Sequence, residues 1–395
     1  MFEDGSTPAD SSGKCLLNET SAGRGPAGDA PEIVDSLIHQ TFELGASDMH
    51  LLPMANGLRV HWRIDGVLHH AGDLPKSVAS HVITRVKVLA DLITYESHTP
   101  QEGRMRTSPD RPPVRITTMP TLFGEQVVAR VLPGGAQHMA RLDDLGMPAT
   151  THQILSEALR QTTGAILIAG PSGSGKSTTA YAVIREIGAV SVGARSISSL
   201  EDPVEVVLPG VAQSQAAAHA GFDINTGLRA LVRQDPEVIL VGEIRDAESA
   251  RIAFQAALTG QLLVTTFHAS DIVTAITRLI DMGIPPYVLR GATQAIVVQR
   301  LLRRLCACSH PDKLVGCGNC RGTGYKGRVV IAEAADVREA DLSEEIREDY
   351  DRDRLHSKLH DHGSQSLYEQ AESLIAEGVT TRLEMQRVLG FPHQS

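Results

Sequence analysis

One run carries the strongest chemical signal in this chain: Gly170-Pro171-Ser172-Gly173-Ser174-Gly175-Lys176-Ser177, which fits the pattern G-x-x-x-x-G-K-[ST] in full. Glycines at these positions let successive backbone N–H groups turn inward onto phosphate oxygens. A helix opening at Lys176 would add its positive N-terminal end. Lys176 would neutralise the β- and γ-phosphates of ATP, Ser177 would ligate Mg²⁺, and Thr178 extends the cradle into the helix. Two acids follow apolar runs downstream. Glu201 ends the run 196–200, and Glu243 lies just past Val238–Val241, with Gly242 between. A carboxylate near the metal can orient or polarise an attacking water, because phosphoryl transfer needs a positioned nucleophile more than covalent chemistry. Glu243 is the first choice for that task and Glu201 the second acid. His268, after the run 262–266, can hydrogen-bond the γ-phosphate and respond to its loss. Cys306, Cys308, Cys317 and Cys320 form a separate group that can hold one tetrahedral Zn²⁺. Its first pair is a tight C-x-C, so His310 can stand in for Cys308.

These groups need a scaffold, and the hydrophobic pattern supplies one. From Asp143 the chain repeats short apolar strand, loop, helix, the mark of a parallel sheet covered by helices. Strands are expected at 165–169, 196–200, 238–241 and 262–266, with a helix from Lys176 to Glu186. Open parallel sheets bind ligands beyond the carboxyl ends of their strands, which is where the phosphate loop, Glu201, Glu243 and His268 all fall. Before this domain, helical spacing at 33–44 and 82–93 and strands at 58–64, 115–119 and 126–132 describe a smaller α+β domain. The first strand runs into Asp65-Gly66, a hairpin turn. The expected boundaries are a disordered tail 1–30, the α+β domain 31–135, a hinge 136–142, the ATP-binding domain 143–300, a cysteine-rich element 301–330, and a polar helical region 331–395.

Composition removes several alternatives. The formal net charge of -10 argues against a general nucleic-acid binder, although Arg300, Arg303 and Arg304 make a local basic cluster. No apolar run reaches the length of a membrane span, and residues 1–30 lack the apolar core of a signal peptide. A cytoplasmic location is therefore expected. Four crowded cysteines in such a protein read as a metal site rather than a disulfide framework.

Taken in order, these residues resemble the ATPase family of bacterial type II secretion and type IV pilus assembly. Further boxes carry the resemblance: 46–50 with 63–66; 100–104 with Arg115 and Gly124-Glu125; 200–205, similar to the family's aspartate box; 228–246, similar to its Walker B region; and 265–268, similar to its histidine box. The resemblance implies a RecA-like ATPase domain, a PAS-like domain before it and a homo-hexamer. It also implies that arginines of the first domain, Arg104 and Arg115 with Arg130 as a third, reach the nucleotide as arginine fingers. The implied partners are an inner-membrane platform protein and a membrane-anchored docking protein, with no nucleic acid. Four-cysteine elements occur in assembly and secretion members, which favours those over retraction motors. The alternatives are a pilus retraction motor of the same family, a RecA-like nucleic-acid translocase, and a non-hydrolysing nucleotide-dependent scaffold.

Overall fold

The computed structural model describes residues 29–105, 111–132, 141–191, 195–217, 220–338, 344–347, 350–361 and 365–391. The expected tail, apart from its last two residues, and most of the expected hinge lie outside the described residues. The chain divides into two compact units, residues up to 134 and from 135 onward.

The first unit is an antiparallel sheet with two helices. Helix α1 (Ala30–Glu43) opens where the Asp29 side chain accepts from the Glu32 N–H and a proline fills the first turn. Strands β1 (Asp48–Met54), β2 (Gly57–Ile64) and β3 (Val67–Pro75) form a meander, then α2 (Lys76–Leu89), and β4 (Gln101–Met105), β5 (Val114–Thr121) and β6 (Gly124–Val131) complete it. The sheet order is β3-β2-β1-β6-β5-β4, antiparallel throughout. Alternation explains the layering: Leu58, Val60 and Trp62 of β2 are buried among Val34, Leu37, Val82 and Val86 of the two helices. Asp65 and Gly66 both take positive φ, as a two-residue hairpin with right-twisted strands requires. The second expected helix starts and stops earlier than its apolar spacing suggested, at Lys76 and Leu89.

The second unit is a seven-stranded sheet ordered β13-β12-β7-β11-β10-β8-β9. Its strands are β7 (Gly164–Ala169), β8 (Ile197–Glu201), β9 (Ala212–Gln215), β10 (Val238–Val241), β11 (Leu262–Phe267), β12 (Thr293–Leu305) and β13 (Tyr325–Asp336). All pairs are parallel except β12 with β13. Residues of β7, β8, β10 and β11 are buried throughout, which is why they read as unbroken apolar runs. One face packs on α3 (Ala149–Ala158) and α4 (Lys176–Val190). The other packs on α5 (Ile224–Leu231), α6 (Ala247–Leu258), α7 (Ile272–Asp281) and α8 (Pro286–Ala292), joined by Leu355, Leu367 and Met385 of the C-terminal helices.

Two expectations are corrected. The cysteine-rich segment is no separate element after a domain ending at 300. It is the tip of a hairpin whose long strands, β12 and β13, belong to the main sheet. The region from 331 is likewise not helical from its start, because β13 continues to Asp336. Among the described residues, helices Arg352–Asp361, Leu367–Ala376 and Arg382–Leu389 follow. The side chain of Gln370, in the second of these, both donates to the Ala332 carbonyl (2.8 Å) and accepts from its N–H (2.9 Å). That amide stands in for a neighbouring strand on the sheet's last member.

Candidate nucleotide site

Buried β7 leads directly into the phosphate loop. Gly170 is the tightest point: a Cβ there would lie 2.5 Å from Ser174 Oγ and 2.6 Å from the Gln299 carbonyl oxygen, so only glycine closes this turn. Gly175, in the left-handed region at φ 91°, caps α4. Lys176 is buried, and its ammonium donates to the carbonyls of Gly170 and Pro171, each at 3.0 Å. Burial pulls its pKa down; Glu243 counteracts this and Arg300 adds to it. Ser174 Oγ is buried without a hydrogen-bond partner among the described residues. Ser177 and Thr178 sit in the first turn of α4, and Pro171, Ser172 and Gly173 form the exposed rim. An orphaned hydroxyl, a lysine folded onto its own loop and a helix N-terminus make a donor set that fits the phosphates of a nucleotide with Mg²⁺.

The two acids occupy different settings. Glu243 lies beyond β10 with both oxygens engaged: His268 Nε2 donates to Oε1 at 2.6 Å and Arg245 Nε to Oε2 at 2.6 Å. Arg245 also reaches Asp202 at 3.5 Å. The carboxylate is 19% exposed, so water can reach it. Glu201 is buried, and its carboxylate accepts from Ser199 Oγ (2.6 Å), Gln213 Nε2 (3.1 Å) and the Tyr181 hydroxyl. Burial and then the Glu201 charge raise the Tyr181 pKa, so the phenol stays a donor. Three donors satisfy Glu201 where it stands, leaving Glu243 as the acid that faces solvent.

Arg104, Arg115 and Arg130 belong to the other unit, where the register sets them abreast. Arg104 of β4 pairs with Arg115 of β5, Arg115 with Arg130 of β6, and Arg130 with Asp48 of β1, which pairs in turn with Arg63 of β2. Asp48 accepts from Arg130 Nε at 2.7 Å, and Glu102 pairs with Arg115 at 2.7 Å. Like charges directly opposite one another on neighbouring strands are unfavourable, and Arg115 Nε is buried without a hydrogen-bond partner among the described residues. Such a row suits an anion. Glu125 of the same motif has a packing role, in a buried pair with Lys87 at 2.9 Å.

The four cysteine sulfurs all lie within 4.8 Å of one another. Cys306–Cys317 is 3.9 Å, Cys308–Cys320 3.7 Å and Cys317–Cys320 3.9 Å. A tetrahedral site with Zn–S near 2.3 Å has edges of about 3.8 Å, so these thiols fit the metal. Backbone N–H groups of Cys317 and Gly324 point at Cys320 Sγ. Against the pull of desolvation, these hydrogen bonds bring that thiol down to about 6. His310 is exposed and pairs with Asp312, so Cys308 is the fourth donor of the cluster.

Some functional neighbours escaped sequence reasoning. Tyr181 reads only as an apolar face of α4, and Asp48 as part of a motif box. Gln299 and Arg300 are buried rather than displayed. Arg303 is held by Glu384 at 2.8 Å. The expected basic cluster at 300–304 is therefore split: Arg300 is buried, Arg303 is paired with Glu384, and Arg304 is exposed. Buried polar residues inside an apolar strand are the signal that could have found the pair.

Comparisons with known proteins give the family and the fold. The model of a family described as "Type II/IV secretion system protein" matches residues 27–387. The type II secretion system protein HxcR of Pseudomonas aeruginosa is 38% identical over 367 residues, covering 90% of this chain and 76% of that protein. The type IV pilus assembly ATPase TfpB of Acinetobacter baylyi is 34% identical over 385 residues, covering 91% of this chain and 65% of its own length. Among solved structures, the ATPase DotB of Legionella pneumophila superposes with TM-score 0.70 at 21% identity, covering 92% of this chain and 97% of DotB. The pilus retraction motor PilT with ADP gives 0.65 at 24%, covering 92% and 97%. These two establish the fold, a RecA-like P-loop core. Among the described residues no helix is long and apolar enough to cross a membrane.

Proposed function

The chain belongs to the type II/IV secretion system protein family, and from that premise we propose that it is a hexameric motor ATPase powering assembly of a secretion pseudopilus or type IV pilus. The observation that carries this reading is Glu243, solvent-reachable at the end of β10 and gripped by His268 on one oxygen and Arg245 on the other. Lys176, freed from the two loop carbonyls, takes up the β- and γ-phosphates. Ser177 would hold Mg²⁺, which would offset the charge that develops on the phosphates. His268 then has two competing acceptors, Glu243 Oε1 and the γ-phosphate. Donating to the phosphate releases Oε1, and the freed carboxylate orients water for in-line attack. Glu201 holds the β8 end, with Tyr181 and Gln213, rather than touching water.

The arginine row supports assembly into a ring. Arg104, Arg115 and Arg130 of one copy meet the nucleotide of another, where their mutual repulsion is relieved by the γ-phosphate. The partners of such a ring are a membrane platform protein and a membrane-anchored docking protein. The cysteine cluster, holding Zn²⁺, staples the hairpin tip and supports the assembly side of the family over retraction.

ATP turnover measured across protein concentration tests this, with Lys176→Ala alongside. Turnover per subunit rises with concentration and vanishes in the variant. Flat turnover per subunit would mean that no neighbour completes the site, and an active Lys176→Ala would remove the ATPase reading itself.

A further inference from the structure

Gln299 and Arg300 follow one another on β12, immediately past the register pair Val298–Ala169 that brings this strand alongside the start of the phosphate loop. Successive strand residues point to opposite faces, and here each face meets a different part of the site. Gln299 is 2% exposed and divides its amide between the phosphate loop and the helix that follows it. Its Oε1 accepts from Thr179 Oγ1 in α4 at 2.9 Å, and its Nε2 donates to the Ser174 carbonyl at 2.8 Å. Its backbone oxygen, with Ser174 Oγ, leaves no room for a side chain at Gly170. Both ends of the loop thus close onto one residue of a strand that contributes no group to the motif.

Arg300, 8% exposed, turns the other way. It donates to the Ser270 carbonyl at 2.8 Å and to the Gln299 carbonyl at 3.1 Å. Ser270 lies two residues after His268, whose own carbonyl accepts from Arg278 at 2.7 Å. The carboxyl groups acting on Arg300 are Asp271, which caps α7, and Glu333 of β13, and Lys176 feels the like charge of Arg300. The buried guanidinium is held by the Ser270 and Gln299 carbonyls, and through Ser270 it fixes the segment that carries His268.

We propose that Gln299 and Arg300 are positioning residues that divide the site's work: Gln299 shapes the phosphate loop and so sets nucleotide affinity, while Arg300 fixes the His268 segment and so sets the hydrolytic rate. This rests on the reading of the site as an ATPase. The division follows from what each strap holds. The phosphate loop grips phosphates that ADP and ATP share, whereas His268 addresses only the γ-phosphate.

The test uses the full chain with Gln299→Glu, Gln299→Ala, Arg300→Lys and Arg300→Gln. Affinity for a fluorescent ADP analogue, kcat at saturating ATP and the melting temperature are measured for each. Gln299→Glu keeps the acceptor for Thr179 and loses the donor to Ser174; ADP affinity is expected to fall about tenfold with kcat within about twofold. Arg300→Gln is expected to leave ADP affinity within about twofold and lower kcat about tenfold, with Arg300→Lys recovering part of it. If Gln299→Ala or Arg300→Gln fails to fold, the conservative variants carry the test. A purely structural pair would lower the melting temperature and move affinity and kcat together, or move neither, and that outcome overturns the proposal. Lys176→Ala separates the two failures. If it still turns over ATP, the site reading has failed. If it is dead and the split is absent, the positioning assignment alone has failed.

Discussion

In the seven-stranded sheet the reactive groups stand beyond the ends of parallel strands, Glu243 and His268 within two residues of a buried apolar run and Lys176 at the far end of the loop that follows β7. In the six-stranded sheet they stand abreast, at one register, on neighbouring antiparallel strands. Lys176, Glu243 and His268 follow the first arrangement. Arg104, Arg115, Arg130, Asp48 and Arg63 follow the second. The first arrangement gathers groups from distant strands at one edge, where loops can carry them onto a substrate. The second lays a line of charge across a flat face, suited to meeting something large and anionic from outside. One sheet builds a pocket and the other presents a surface.

The largest effect that can break this contrast comes from the two acids at strand ends. Glu243→Gln keeps the hydrogen-bonding shape but cannot orient water as a base, and turnover is expected to fall at least about 100-fold with nucleotide binding intact. Glu201→Gln, at a site served by three donors, is expected to lower the melting temperature more than it changes kcat per folded subunit. If instead Glu201→Gln is inactive and fully stable, burial has misdirected the choice between them.

The arginine row sharpens the contrast next. Arg104→Ala and Arg115→Ala are expected to lower turnover about tenfold or more without weakening ADP binding. Mixing either with Lys176→Ala should restore activity, because one chain supplies the loop and the other the arginine. Two inactive variants that stay inactive when mixed, while still forming rings, would confine the row to a role within one chain.

The smallest expected effect concerns the hairpin tip. Cys308→Ser should lower both bound zinc per chain and the melting temperature, and His310→Ala should change neither. Equal zinc content in the two variants would assign the fourth position elsewhere.

The difference between the sheets also explains what could be read in advance. Strand-end chemistry is contiguous with its strand, so Val238–Val241 and the glutamate beyond it were visible as a line of letters. A cross-strand row exists only once register is known. Nothing in the spacing of Asp48, Arg115 and Arg130 announces that they are neighbours, and the arginines were found only through a motif resemblance. Register likewise hid β12 and β13. Gln299 and Arg300 interrupt the apolar pattern of β12 because they are spent on loops rather than on packing. The cysteine spacing identified the group but left Cys308 and His310 open, since a C-x-C pair fits a tetrahedron only when the returning loop delivers the other two sulfurs at the right height.

Gly242 ties the two acids into a single choice. A Cβ at that position would stand 3.2 Å from the Glu201 Cα and 3.4 Å from its Cβ and Cγ. Many P-loop ATPases carry an aspartate at this point, and a designer or a lineage moving towards that arrangement would meet Glu201 first. An aspartate at 242 crowds the buried glutamate, and removing the glutamate strands Tyr181, Ser199 and Gln213 without their acceptor. The two positions are coupled, so the effect of a substitution at 242 depends on what stands at 201.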